Sequence, residues 1–303
     1  MRTISILCVI LICGCAKHKT TECNYITDYY QTVYQADIAF ESKDYETAFT
    51  LFQDAFSTCE AKNTMNYNEI GKFTQNAAIL GKYDITYEYA KKQILKGVTL
   101  DRFQNNDNFS KFLASKFGQK LVLEYNELRK EFETNADFKL RDELIAMRTA
   151  DQKYRSRNYR ENIKKQDSID KLHEQRLITI FETIGYPTDK MVGPHSMDNP
   201  VDVGLFLLHT KDSIRVNYFI PKLKDFVKNG TASPFTLGTI IDQYHLYNGK
   251  PQIYGTYGAS SGSGYANMID DLKKVDSNRI SIGLAPLRLK QKKDSLLKVK
   301  YGL

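Results

Sequence analysis

"ADIAFESKDYETAFTLFQDAF", residues 36–56, decides how the first half of this chain is read. Small residues fall at Ala36, Ala48 and Ala55, and aromatic ones at Phe40, Tyr45 and Phe52. Two antiparallel helices approach closely only where alanine replaces bulk, while aromatic rings fill the gaps on either side. The stretch therefore reads as a helical hairpin that turns near Lys43-Asp44. "NAAILGKYDITYEYAKKQILKG", residues 76–97, repeats the turn at Gly81 to Tyr83, with Thr86 and Ala90 where an alanine and an aromatic residue are expected. Such units bury their faces only against stacked neighbours, so Asn108 to Phe132 is expected to supply a third helical layer or cap.

The small and aromatic positions of residues 36–56 resemble those of a tetratricopeptide repeat, and the second unit resembles a degraded copy. By that resemblance residues 24–135 form one small α-solenoid with an extended groove for a protein or peptide partner.

The rest of the 303-residue chain is expected to be a second, mostly helical domain over residues 137–303. Helical periodicity runs through "KLRDELIAMRTADQKYR" and "IDKLHEQRLITIFETIG", with Gly185 and Pro187 ending the second run. The charged segment "SRNYRENIKKQD" between them is expected to be an exposed connection. Asn199-Pro200 and Ser233-Pro234 each put a capping residue before proline, so helices are predicted to begin at both. Period-2 alternation in Gln252 to Tyr257 and again in Arg279 to Leu284 predicts two short strands that pair. The fold expected is thus mainly α: a tetratricopeptide-like solenoid followed by a mostly helical domain with a small two-stranded β element.

Met1-Arg2 followed by the apolar run Ile4 to Ile12 is a signal peptide, residues 1–14, too short for a spanning helix, which needs roughly 20 apolar residues. "ICGC" resembles the bacterial lipobox, which implies that Cys15 carries lipid, that residues 15–23 are a tether, and that the protein is anchored to a membrane of the cell envelope. No acidic residue directly follows Cys15, so a periplasm-facing position is expected. Cys23 and Cys59 would then remain as ordinary thiols. In an oxidising envelope they either pair or stay as two buried small hydrophobes. The hairpin favours pairing, because the start of its first helix lies beside the end of its second.

A formal charge of +7 without arginine-rich clusters or stacking motifs excludes nucleic acid as the expected partner. "GASSG", residues 258–262, matches a hydrolase elbow only in spacing, since all five histidines precede Ser260, whereas that arrangement places the histidine after the serine. "HTKD" and "DQYH" set His209 with Asp212 and Asp242 with His245, three residues apart. Lys211 and Ser213 mark a helix end, and His209 continues a stripe from Val201 and Leu205, the place of a hydrogen-bonded core histidine. Neither a metal site nor a cofactor is expected.

Residues 140–289 resemble an uncharacterised bacterial domain whose ordered signature runs D-Q-x-x-R, V-G, Q-H-x-D, D-R-V, G-x-x-Q-x-Y-G-T-Q and R-x-x-V-G-L-x-P-L. The chain offers "DQKYR" (Asp151 to Arg155), Val192-Gly193, His209, Asp242, Gly249, "QIYGT" (Gln252 to Thr256), Arg279 and "GLAPL" (Gly283 to Leu287). It departs from the signature at Leu208, Asp212, Gln243 and Tyr257. The resemblance implies no activity. Its residues do mark a polar network of Gln252, Tyr254, Thr256 and Arg279, which either stabilises the domain or binds a ligand. The expected role is binding or scaffolding at the envelope membrane. The alternative is a hydrolase-like enzyme with His209, Asp242 and Arg279 as catalytic candidates beside Gln252 and Tyr254.

Overall fold

The computed structural model describes residues 23–63, 68–155, 159–260 and 264–302, so the expected signal peptide, Cys15 and most of the expected tether lie outside the described residues. The molecule is mainly helical, and no strand or sheet occurs among the described residues.

Helices α1 (Tyr30–Glu41) and α2 (Tyr45–Thr58) form the first hairpin. Lys43 takes a left-handed φ of 63° in the turn, and Asp44 caps α2 by accepting from Thr47 N at 3.3 Å. Ala36, Ala48, Phe52 and Ala55 are all buried, which lets the two backbones approach around the Phe52 ring. Helices α3 (Glu69–Ile79) and α4 (Tyr83–Ile94) repeat the arrangement across Gly81, whose φ of 72° suits glycine. After short helical turns, α5 (Lys116–Asn135) packs on α4 and closes a satellite core around Ile94, Phe109, Phe112 and Leu121. Cys23 and Cys59 are disulfide-bonded with Cα atoms 5.6 Å apart, closing the first hairpin at its open end.

Helix α6 (Phe138–Gln152) begins at Asp137, which caps Leu140 N at 2.8 Å, and α7 (Tyr159–Thr183) follows. The connection between them is shorter than expected, because the charged residues from Tyr159 onward are already helical. No helix starts at Pro200. Asn199 is left-handed at φ 55°, and the short helix α8 (Val203–Leu207) is capped instead by Asp202. A π-helical turn at Arg215–Phe219 leads into α9 (Ile220–Lys228). Ser233 then caps α10 (Pro234–Tyr247), with proline in its first turn as the sequence requires. Helices α11 (Leu272–Ser281) and α12 (Leu287–Tyr301) complete the chain.

The expected β element is absent among the described residues. Residues 252–258 form an irregular loop with two isolated bridges, Gln252 to Met268 and Gly258 to Tyr265. The second predicted strand is the end of α11 and the turn after it, where Gly283 has φ 85°. The alternation failed as a signal because the N–H groups of Ile253, Tyr254 and Thr256 are taken by the buried Asp242 carboxylate, so pairing is confined to isolated bridges.

One core joins the first hairpin to the C-terminal helices, running from Tyr29, Tyr30 and Phe52 through Leu144 and Leu177 to Phe206, Phe219 and Leu237. Tyr30 OH donates to Val227 O at 3.1 Å, Tyr34 OH to Gly283 O at 3.1 Å, and Gln31 Nε2 to Leu284 O at 3.0 Å. Beside them Asp37 pairs with Lys72 and, at 2.5 Å, with Lys293 of α12. Burial pulls the Lys293 ammonium down to about 8, with Asp37 opposing that shift. No described helix is long and apolar enough to cross a membrane.

Candidate functional site

Five of the predicted residues meet around the loop after α10. Asp242 lies on the buried face of α10 with 0% exposure. Its Oδ1 accepts from Ile253 N at 2.9 Å and Tyr254 N at 3.0 Å, and its Oδ2 from Thr256 N at 3.0 Å and Thr256 Oγ1 at 2.9 Å. A carboxylate with several backbone donors is a strong anchor, because each charge-assisted bond exceeds a neutral one. Gln252 is equally buried. Its Oε1 accepts from Tyr257 N at 2.8 Å, and its Nε2 donates to Tyr257 O at 2.9 Å and to Ala266 O.

Arg279, on α11 rather than a strand, donates from Nη1 to Tyr254 O at 2.6 Å and from Nε to Ala285 O. Burial lowers the pKa of its guanidinium, and burial together with the Asp242 charge pushes the Tyr254 phenol up to about 12. Gly255 holds φ 64° at the centre of the loop. Asp242, Gln252, Tyr254, Thr256 and Arg279 therefore converge, with their polar atoms turned mainly toward the backbone of this one loop.

His209 belongs to another assembly. It follows α8, and its Nδ1 lies 2.9 Å from Asp151 Oδ1 on α6. A carboxylate at Nδ1 holds a proton there, so Nδ1 is the donor of this pair. Asp151 Oδ2 also accepts from Gln152 Nε2 at 2.6 Å and Arg155 Nε at 3.4 Å. Arg155 reaches on to Asp170 of α7 at 2.5 Å, and Gln166 Nε2 donates to Asp170 at 2.8 Å and to Asp151 O at 3.0 Å.

Burial raises the Asp151 pKa, but the His209 hydrogen bond and the His209 and Arg155 charges outweigh it and bring the net value below the ordinary one. His173, 4.0 Å from Asp151, is lowered chiefly by burial. Gln166 Oε1 and His173 Nδ1 are buried without a hydrogen-bond partner. No group of three or more His, Cys, Asp or Glu side chains suited to a metal occurs among the described residues. Asp212 instead accepts from Asn248 Nδ2 at 3.0 Å, and His245 Nδ1 faces Pro251 O at 3.0 Å.

A cleft of about 730 Å³ opens at the seam between the hairpins and the C-terminal half, within the usual size range of ligand sites. Lys62, Asn63, Val98 and Arg102 form one wall; Tyr186, His195, Leu205 and Phe235 are among the residues of the other. Neither His209 nor the Asp242 network lines it. Reasoning from the sequence missed this cleft, and it missed Gln166, His173 and Asp170. Of the Asp151 assembly only "DQKYR" and His209 carried a signal, and nothing in their spacing said that they touch. Comparison of the chain with protein-family models, with curated proteins and with solved structures found no match.

Proposed function

We propose that this chain is a cell-envelope lipoprotein, held to the membrane by lipid on Cys15 and facing the periplasm, that binds a protein or peptide partner. Its first half is a tetratricopeptide-like solenoid, and its second half belongs to the uncharacterised bacterial domain whose signature it resembles. The observation that carries the binding reading is the seam cleft, with walls from both halves that mix apolar surface (Val98, Leu205, Phe235) with hydrogen-bonding and charged groups (Asn63, Arg102, His195). Such mixed surfaces suit a peptide, whose apolar side chains need pockets while its backbone needs partners.

The hydrolase-like alternative is weakened by the same geometry. Asp242 and Arg279 spend their hydrogen bonds on the loop backbone, and His209 bonds to Asp151 rather than to either. Screening a peptide library against the full chain in detergent tests the reading, with Arg102→Glu and Leu205→Lys as cleft variants. Selected peptides should lose most of their affinity to both variants while the fold melts as wild type. Hydrolysis of generic ester substrates that disappears in His209→Ala would replace binding with catalysis as the function. Cys15→Ala should release the chain from the membrane fraction, and equal retention would remove the lipid anchor from the proposal.

A further inference from the structure

Three arginines are buried among the described residues: Arg141, Arg215 and Arg279, each no more than 4% exposed. Burying a guanidinium is costly unless its donors are occupied and its charge is balanced. Arg141 donates to Val192 O, Asp198 O and Asn199 O. Arg215 donates to Leu208 O, Thr210 O and Thr210 Oγ1, and lies 3.5 Å from Asp212. Arg279 makes fewer bonds, to Tyr254 O and Ala285 O, and its Nη2 donates to no described residue. No described carboxylate lies within ion-pair distance of it, because Asp276 is turned to Leu287 N and Asp242 to the loop. Arg141 and Arg215 do not line the seam cleft, whereas Arg279 borders a second cavity, a space of about 210 Å³ between α1, α10, α11 and α12.

The cavity has the character of a site for an amphipathic anion. Its walls are largely apolar, from Tyr34, Ile38, Phe235, Leu284 and Leu289. Its charged lining is mainly cationic: Arg279, Lys290 and Lys293 against the single acid Asp37, which already pairs with both Lys72 and Lys293. Ser233 and Phe235 also line it, so the N-terminal turn of the 14-residue helix α10 borders the space with the positive end of its dipole. A volume of this size holds about seven water-sized groups.

We propose that this cavity binds an apolar monocarboxylate of the size of benzoate or hexanoate, with its carboxylate on Arg279 Nη2 and its hydrocarbon between Leu284, Leu289 and Phe235. The site is separate from the seam cleft, with which it shares the wall at Ser233 and Phe235, and it stands or falls without the cleft. The carboxylate can come from a free acid or from the C-terminus of a peptide that ends in an apolar residue.

Titration calorimetry of the full chain in detergent decides it, using benzoate, hexanoate, their neutral amides, and a short peptide ending in phenylalanine as free acid or as amide. At least one acid should bind about tenfold or more tightly than its amide, because the charged hydrogen bond is lost in the amide. Preference for the peptide acid over the small acids assigns the carboxylate to a chain terminus. Arg279→Gln should abolish the preference. Since that variant also loses loop contacts, Leu289→Phe serves as a second, which should fill the cavity and weaken binding while melting near wild type. Equal binding of acids and amides, no binding of any acid, or unchanged binding by Leu289→Phe would each overturn the proposal.

Discussion

Around Asp242 the buried carboxylate and the Gln252 amide use all their oxygen and nitrogen atoms on the backbone of one loop. Around Asp151 the arrangement is different: side chains bond mainly to other side chains, and Gln166 Oε1 and His173 Nδ1 are left buried with no hydrogen bond. Both contain residues that the sequence alone marks as candidates, and the difference teaches that such residues can hold two physical roles. A backbone-directed knot replaces secondary structure, since it satisfies N–H groups that would otherwise need a ladder. A knot between side chains from three separate segments ties those segments together and retains polar capacity that the protein does not use.

The widest gap between the two should appear on removing the central acid of the first. Asp242→Asn leaves one oxygen for donors that now meet an NH₂ group, and is expected to cost about 3 kcal/mol or more in chemical denaturation. A loss below about 1 kcal/mol would mean that the loop does not depend on its carboxylate. Gly255→Ala probes the same knot from the backbone. Its φ is 64°, and an added Cβ would sit 2.6 Å from Met268 Sδ. A loss of about 1 to 2 kcal/mol is expected, and a variant as stable as wild type would show that the loop adopts another conformation in solution.

The Asp151 assembly should respond to pH rather than to simple truncation. His173 has a lowered pKa in the folded chain, chiefly from burial, so the unfolded chain takes up its proton first as pH falls through about 6.5. Its contribution to stability is therefore present above that value and declines on acidification toward the folded pKa. Denaturation at pH 7 and pH 5 should show a shallower decline in His173→Leu than in wild type. Identical declines would remove His173 from the account. The Asp151 carboxyl, also lowered, loses its contribution only on acidification below about 3.8, which keeps the two effects apart. The smallest effect is expected for His209→Gln, under about 1 kcal/mol, because that side chain sits at the accessible edge and an amide can still reach the carboxylate. A loss matching Asp242→Asn would erase the distinction between the two assemblies.

Several features were legible in the sequence because their causes are local. The Ser233-Pro234 start of α10 follows from a capping side chain and a fixed φ. The helical hairpin over residues 36–56 follows from the spacing of Ala36, Ala48, Ala55 and Phe52, and the nearness of Cys23 and Cys59 follows from the hairpin itself. The candidate network was legible only as a set of residue types. Gln252, Tyr254, Thr256 and Arg279 do meet, but on a loop and a helix, since period-2 alternation cannot distinguish a strand from a loop whose N–H groups are held by a distant acid.

By itself, then, the sequence determined the helical character of the chain, the first hairpin and its disulfide neighbourhood, and several of the helix caps, all of which depend on spacings of a few residues or on one short turn. Tertiary structure alone decided that Asp242 takes the place of a β ladder, that His209 bonds to Asp151 across 58 positions, and that Arg279 reaches the core beside a cavity with no described carboxylate within ion-pair distance. Those outcomes rest on which buried donors and acceptors come within about 3 Å of one another once the helices have packed, and a linear pattern holds no such distances.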